Sequence, residues 1–234
     1  LFQAIEWAVS NEVDIISMSW TIDAAETDDI NALKRAVERA GENGIIMYCA
    51  AKDEGKDAAK KEIYPYDSGP KVIKRIGATD SFGKKLRYVL ERDTDYFLPG
   101  EDLTEQLPLQ GTASVEETKN HREGSSEATA LAAGLAALIL ACFAEVEGKK
   151  GIEYMRTSEH MNRVFDALAE YESMKYVMVW GFEASVKQKI PLPTNNARLA
   201  INGPQSDMKE RMSRVANYCR RVIDHPGSVR SRNP

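Results

Sequence analysis

The stretch Gly124–Leu140, GSSEATALAAGLAALIL, limits what this chain can fold into more than any other, because it runs on to Cys142 without a charge between Glu127 and Glu145. Its apolar part, Ala128 to Cys142, is about fifteen residues long, short of the roughly twenty that a membrane-spanning helix needs. Alanine and leucine dominate it and Gly134 lies near its middle, so a helix buried on all sides of a core is expected. Ser125 and Ser126 fall at the N-terminus of that helix, where a hydroxyl can cap free backbone N–H groups and the helix dipole favours negative charge. Two readings stay open at this point: a plain capping serine, or a site that stabilises a reacting oxyanion.

A chain of 234 residues with 43% hydrophobic and 29% charged residues is ordinary for a soluble globular protein with one large domain or a domain and an appendage. The net charge of −5 is unevenly spread: residues 186–234 hold ten Lys/Arg against three Asp/Glu, about +7, which leaves about −12 for residues 1–185. The division expected is therefore a domain over 1–185 and a basic tail over 186–234, with an amphipathic helix near 208–223. Cys49, Cys142 and Cys219 are widely spaced and odd in number, which argues against a disulfide framework or a cysteine zinc site and fits a reducing, intracellular compartment better than secretion. The opening LFQAIEWAVSNEVDIISMSW has no basic n-region or cleavage site and reads as starting within a domain. No transmembrane segment, nucleic-acid motif or phosphate loop is found.

Leu1–Ser10 has helical spacing and Val13–Trp20 is an apolar run of strand length; Ile30–Ala40 and Gly44–Ala51 repeat the pair. Val72–Asp80 and Asp95–Leu98 read as further strands, Glu101–Glu123 as a long surface loop, Met161–Tyr171 as a helix, and KYVMVWGF as a short β-rich run. Apolar strands separated by helices imply an α/β fold, a parallel sheet with helices on both faces. In such sheets ligands bind at the carboxyl ends of the strands.

VDIISMSW (13–20), CAAKDEG (49–55), VIKRIGATD (72–80), YFLPGED (96–102) and GSSEATALAAGLAALI (124–139) together resemble the subtilisin-like serine peptidases, the subtilases, in order and context. The last block is similar to the family's nucleophile motif Gly-Thr-Ser-x-Ala-Thr/Ser-Pro/Ala, with Gly124, Ser125, Ser126, Glu127, Ala128, Thr129 and Ala130 in those places, and its wording looks like a fungal branch. The resemblance implies that Ser126 is the nucleophile of acyl transfer to water, with its own N–H as one oxyanion donor. It places Asp53 where the family has an asparagine that donates to the oxyanion. It also assigns Ser19, Trp20 and Thr21 to the segment that pairs with substrate backbone, and Leu98-Pro99-Gly100-Glu101 to a structural turn without chemistry.

The family's Asp and His blocks, which precede the serine, have no match here; His121, His160 and His225 lack their context. The expectation is the carboxyl-terminal part of a subtilase domain, inert alone and needing an N-terminal segment of the same protein to act on a polypeptide substrate. An ionised Asp53 cannot donate to an oxyanion, Glu127 is either a solvated helix start or a selector of basic substrates, and Thr21, where glycine is common, crowds the substrate strand. No cofactor is required; calcium is possible from the family but nothing in the sequence supports it. The competing reading is a pseudopeptidase that keeps the fold for peptide binding or regulation. A third, that the basic 208–223 helix binds an acidic partner or a membrane surface, rests on its charge alone.

Overall fold

The computed structural model describes residues 1–23, 27–53, 62–80, 82–101, 123–171, 175–178 and 205–225. The expected loop over 101–123 beyond its ends, His121, and most of the tail lie outside them. Helix α1 (Phe2–Ser10) leads into strand β1 (Ile15–Met18), and a two-residue strand β2 (Ile22–Asp23) precedes α2 (Thr27–Glu42). Buried Ile30, Leu33, Ala36, Val37 and Ala40 line one face of α2 at helical spacing, with Asp28 and Asp29 in its first turn and Arg39 in its last, the charge order that the helix dipole favours. Strands β3 (Ile46–Ala50), β4 (Ile63–Tyr64), β5 (Ile73–Thr79) and β6 (Tyr96–Pro99) follow. The long helix α3 (Ser125–Glu147) is succeeded by α4 (Lys149–Met155), α5 (Ser158–Leu168), strands β7 (Ala169–Tyr171) and β8 (Lys175–Val177), and finally α6 (Gln205–Asp224).

Six strands form one sheet in the order β1-β3-β5-β6-β8-β7, and β2 pairs with β4 beside it. All neighbours in the large sheet are parallel except β7 and β8. The expected all-parallel sheet thus ends in an antiparallel edge, and the helix expected over 161–171 stops at Leu168, because residues 169–171 pair with 175–177. Strand β3 shows how the sheet is covered on both faces. Ile46 and Tyr48 point into a cluster with α3, α5 and α6, while Met47 and Cys49 point into a second one with α1 and α2.

Helix α3 lies against β1, β3, β5 and β6. It spans 23 residues, and among the described residues it is the one helix long and apolar enough to cross a membrane by length and composition. Its inner face, with Ala128, Ala132, Ala136, Ile139 and Phe143 fully buried, is core. Burial on all sides is not what is found: Ala130, Leu131, Gly134, Ala137, Leu138 and Ala141 are exposed, since the sheet covers one side of the helix only. An open groove beside them is lined by Asp14, Ile15, Ala137, Leu140, Ala144 and Ile152. On the sheet itself, among the described residues, β1 is paired on one side only, with β3.

Helix α6 is packed on α3 and α5. Ala216, Tyr218, Cys219, Val222 and Ile223 are buried there, and Arg220 closes the contact with an ion pair to Glu147 and its guanidinium 4.0 Å from the centre of the Tyr154 ring. The apolar stripe of this basic helix is therefore used within the chain. All three cysteines are free and buried, and burial pushes the Cys49 and Cys219 thiols up to about 12, so neither is a reactive thiolate near neutral pH.

Candidate active site

Three consecutive residues at the start of α3 are each tied to the carboxyl end of a different strand. Gly124 N donates to Gly100 O at 2.8 Å, just past β6. Ser125 donates twice to Asp53, three residues past β3: its N–H to Oδ2 at 2.9 Å and its hydroxyl to Oδ1 at 2.6 Å. Ser126 exchanges bonds with Ser19, the residue after β1: Ser126 Oγ donates to Ser19 O at 3.3 Å, and Ser19 Oγ donates to Ser126 O at 3.1 Å. The helix start is held from across the sheet, which brings Ser19, Asp53, Gly124, Ser125 and Ser126 together.

The serines do not cap this helix. Its N-cap is Gly124, and the orphan N–H of the first turn is taken by the carboxylate of Asp53 instead. Gly124 is required there: its φ is +149°, and a Cβ on it would sit 3.0 Å from Asp53 Oδ2 and 3.4 Å from Glu127 Oε2. Gly100 is equally constrained, since a Cβ would come within 2.6 Å of Gly124 O. Thus the turn Leu98–Glu101, to which no chemistry was assigned, sets how close β6 approaches the helix. Thr129 is a second residue that the motif contained without an assigned role; its hydroxyl donates to Ser125 O at 2.6 Å.

Ser125 is wholly buried, whereas Ser126 and Glu127 are half-buried and Asp53 and Ser19 exposed. The Ser126 oxygen is thus accessible, at the N-terminal end of a helix dipole, beside backbone N–H groups. Trp20 is half-buried and packs on the α1/α2 core, and Thr21 is half-buried next to it, where the chain passes from β1 to β2. Tyr88 was not foreseen. Its hydroxyl oxygen is shut off from solvent without a hydrogen-bond partner among the described residues. Burial first, and then the negative fields of Glu123, Asp53, Glu101 and Glu127, push it up to about 12. The rim of the site is acidic.

No histidine among the described residues faces Ser126. His160 Nδ1 donates to Tyr154 O at 2.7 Å and its ring lies 4.5 Å from that of Tyr154, where α4 meets α5. No group of three or more acidic, histidine or cysteine side chains that could hold a metal occurs among the described residues.

The sequence profile of the Subtilase family matches residues 1–176. The chain belongs to the subtilase family. Among curated subtilases, subtilisin amylosacchariticus of Bacillus subtilis subsp. amylosacchariticus is 32% identical over 141 residues, which cover 60% of this chain and 34% of that protein. The major intracellular serine protease of Bacillus subtilis (strain 168) is 31% identical over 110 residues, 46% of this chain and 33% of the relative. The chain therefore spans about a third of the length of these relatives. Among solved structures, the prenylagaramide maturation protease PagA aligns with a TM-score of 0.54 at 22% identity, over 77% of this chain and 64% of that one. A lanthipeptide protease aligns with a TM-score of 0.55 at 15% identity, over 77% and 63%. These structures share the subtilase fold of parallel sheet and covering helices.

Proposed function

We propose that this chain carries the nucleophile of a subtilisin-type serine endopeptidase, and that Ser126 Oγ is the attacking atom. The observation that carries the reading is the position of that hydroxyl: on a half-buried residue in the first turn of a helix whose inner face is core, at the carboxyl ends of the strands in a subtilase fold. Ser126 Oγ adds to the carbonyl carbon of a peptide bond while its proton passes to a histidine. The tetrahedral intermediate collapses, the amine leaves with that proton, and water hydrolyses the resulting ester. Ser126 N–H is a donor of the oxyanion site, beside which Asp53 lies in the place of the family's asparagine, and Ser19, Trp20 and Thr21 line the substrate strand.

The histidine and its orienting aspartate are assigned to a segment preceding Leu1, so residues 1–234 alone are inert. The exposed apolar face of α3 and the edge of β1 left unpaired among the described residues support this assignment: a parallel sheet normally continues to a covered edge, and an apolar helix face normally has cover. Residues 1–185 are the peptidase part, of a type whose GSS…ATALAAGLAALIL wording is fungal-like, and 186–234 a basic tail with α6 docked back on it. The second reading, a pseudopeptidase that binds peptides without cleaving them, is favoured by an aspartate at position 53, where the family has a side-chain donor and where both oxygens here accept from Ser125.

A fluorophosphonate probe separates the readings. The complete protein should be labelled, and Ser126→Ala should remove the label. A wild-type protein that stays unlabelled supports the binding module, and labelling that survives Ser126→Ala moves the nucleophile elsewhere.

A further inference from the structure

We infer that Asp53 is a positioning residue for Ser126, acting through Ser125 as the cap of α3, and not a donor to the oxyanion. The inference rests on the peptidase reading and concerns how the nucleophile is held.

Both carboxylate oxygens of Asp53 are committed to one residue, Oδ2 to Ser125 N–H and Oδ1 to Ser125 Oγ–H. At 2.9 and 2.6 Å, both oxygens act as acceptors. A carboxylate in that state has no hydrogen to offer a substrate. Its negative charge is also in favourable surroundings, at the amino end of a long helix. Ser125 in turn has no freedom left: its N–H and hydroxyl are held by Asp53, its carbonyl by Thr129 Oγ1, and its side chain is wholly buried. The next peptide unit carries the Ser126 N–H, so the direction of that N–H and the base of the Ser126 side chain are set by the Asp53–Ser125 pair. Asp53 comes from the end of β3 and not from α3 itself, which couples the nucleophile to the sheet.

The arrangement has two opposed effects on rate. It holds Ser126 in place, and it puts a negative charge beside the developing oxyanion, whose stabilisation then falls to main-chain N–H groups. Substitutions at Ser125 isolate the first effect, because they leave the charge where it is.

The test uses the full-length protein and a fluorophosphonate probe, with inactivation resolved into a maximal rate and a binding constant. Ser125→Ala should lower the maximal rate on the order of tenfold to a hundredfold, the scale of a small misplacement of a reacting group, with probe binding unchanged. Ser125→Thr, which keeps the hydroxyl, should restore the rate. Asp53→Asn, which keeps one acceptor and removes the charge, should label at least as fast as wild type. The double variant Asp53→Ala with Ser125→Ala should be no slower than the slower single one, since the two residues act as a unit. Labelling of Ser125→Ala at the wild-type rate, or losses that multiply in the double variant, overturns the inference. If the wild type does not label at all, the peptidase reading fails and the cap is judged by amide hydrogen exchange. Asp53→Ala should then speed exchange at Ser125 and Ser126 by at least tenfold, with no further gain from Ser125→Ala, and unchanged exchange overturns it.

Discussion

Asp53 and Ser125 are 72 residues apart in sequence and joined by two hydrogen bonds, through which the end of one strand caps the helix that presents the candidate nucleophile. With Gly100 to Gly124 and Ser19 to Ser126, it makes the start of α3 a junction of three strands. The chemistry proposed for the site depends on this junction more than on any local feature of the helix.

Gly124→Ala tests the junction through stability. The substitution puts a Cβ 3.0 Å from Asp53 Oδ2 on a backbone with φ of +149°. Strain of this kind costs about 1–3 kcal/mol. Urea unfolding should show a fall in unfolding free energy of that size, and Gly134→Ala, where a Cβ meets nothing within 4 Å, should be neutral or stabilising. Equal effects at the two glycines would remove the special status of Gly124.

The exposed face of α3 gives a prediction with two arms. Leu138 is 53% exposed, so Leu138→Glu should change the stability of residues 1–234 by no more than about 0.5 kcal/mol. In the complete protein the same change should lower stability by several times that amount and reduce fluorophosphonate labelling, because it puts a charge against the segment assigned to that face. A full-length protein as stable as wild type would show that nothing covers the helix there.

The contact of α6 with α3 predicts a pH dependence. The hydrogen bond from Arg220 holds the Glu147 carboxyl below its ordinary value, outweighing burial, which acts the other way. A carboxyl depressed in the folded state adds stability that is present above the unfolded value and lost as pH falls through the folded one. Both side chains are about one-third exposed or slightly less, so the contribution is no more than about 1 kcal/mol. Glu147→Gln should therefore lower Tm by a constant small amount above about pH 5 and by progressively less below the ordinary glutamate range. A difference that grows with acid would contradict the assignment.

Glu127 predicts substrate preference. Its carboxylate follows Ser126 directly, and Glu101, Glu123 and Asp53 add to the negative field around Tyr88. Paired peptides with lysine or alanine near the scissile bond should differ in kcat/KM in favour of lysine, and Glu127→Gln should shrink that ratio several-fold. An unchanged ratio leaves Glu127 as a helix-start charge only.

The main strands and helices were legible in the sequence because the strands are short apolar runs and the helices carry apolar residues at helical spacing. IMYCA alternates between two cores and the apolar spacing of α2 faces one, so local pattern and burial agree. The two-residue strands β2 and β4, helix α4, strand β7 and the open face of α3 are not legible in the sequence. Helix α4 is seven residues with Gly151 inside, poor by propensity; it exists because Gly151 lets it lie against the Phe143 backbone, where a Cβ would be 2.6 Å from Phe143 O. Strand β7 continues a helical pattern and becomes a strand only by pairing with β8. The outer face of α3 looked like core because composition records how apolar a helix is and not how much of it the described chain covers. At the site, Ser126, Asp53 and Ser19 were picked out by family resemblance, but the bonding of Asp53 to Ser125 was not. That bond is non-local, and nothing in either short segment encodes the other's approach.

The account stands on a nucleophile in this chain and a base from outside it. The most direct measurement is fluorophosphonate labelling, with peptide mapping, of residues 1–234 alone and of the same polypeptide extended through the segment preceding Leu1. The account predicts a label on Ser126 in the extended protein and none in residues 1–234, although the fold of the latter is intact by circular dichroism. Labelling of Ser126 in residues 1–234 alone would place a base within this chain and contradict it.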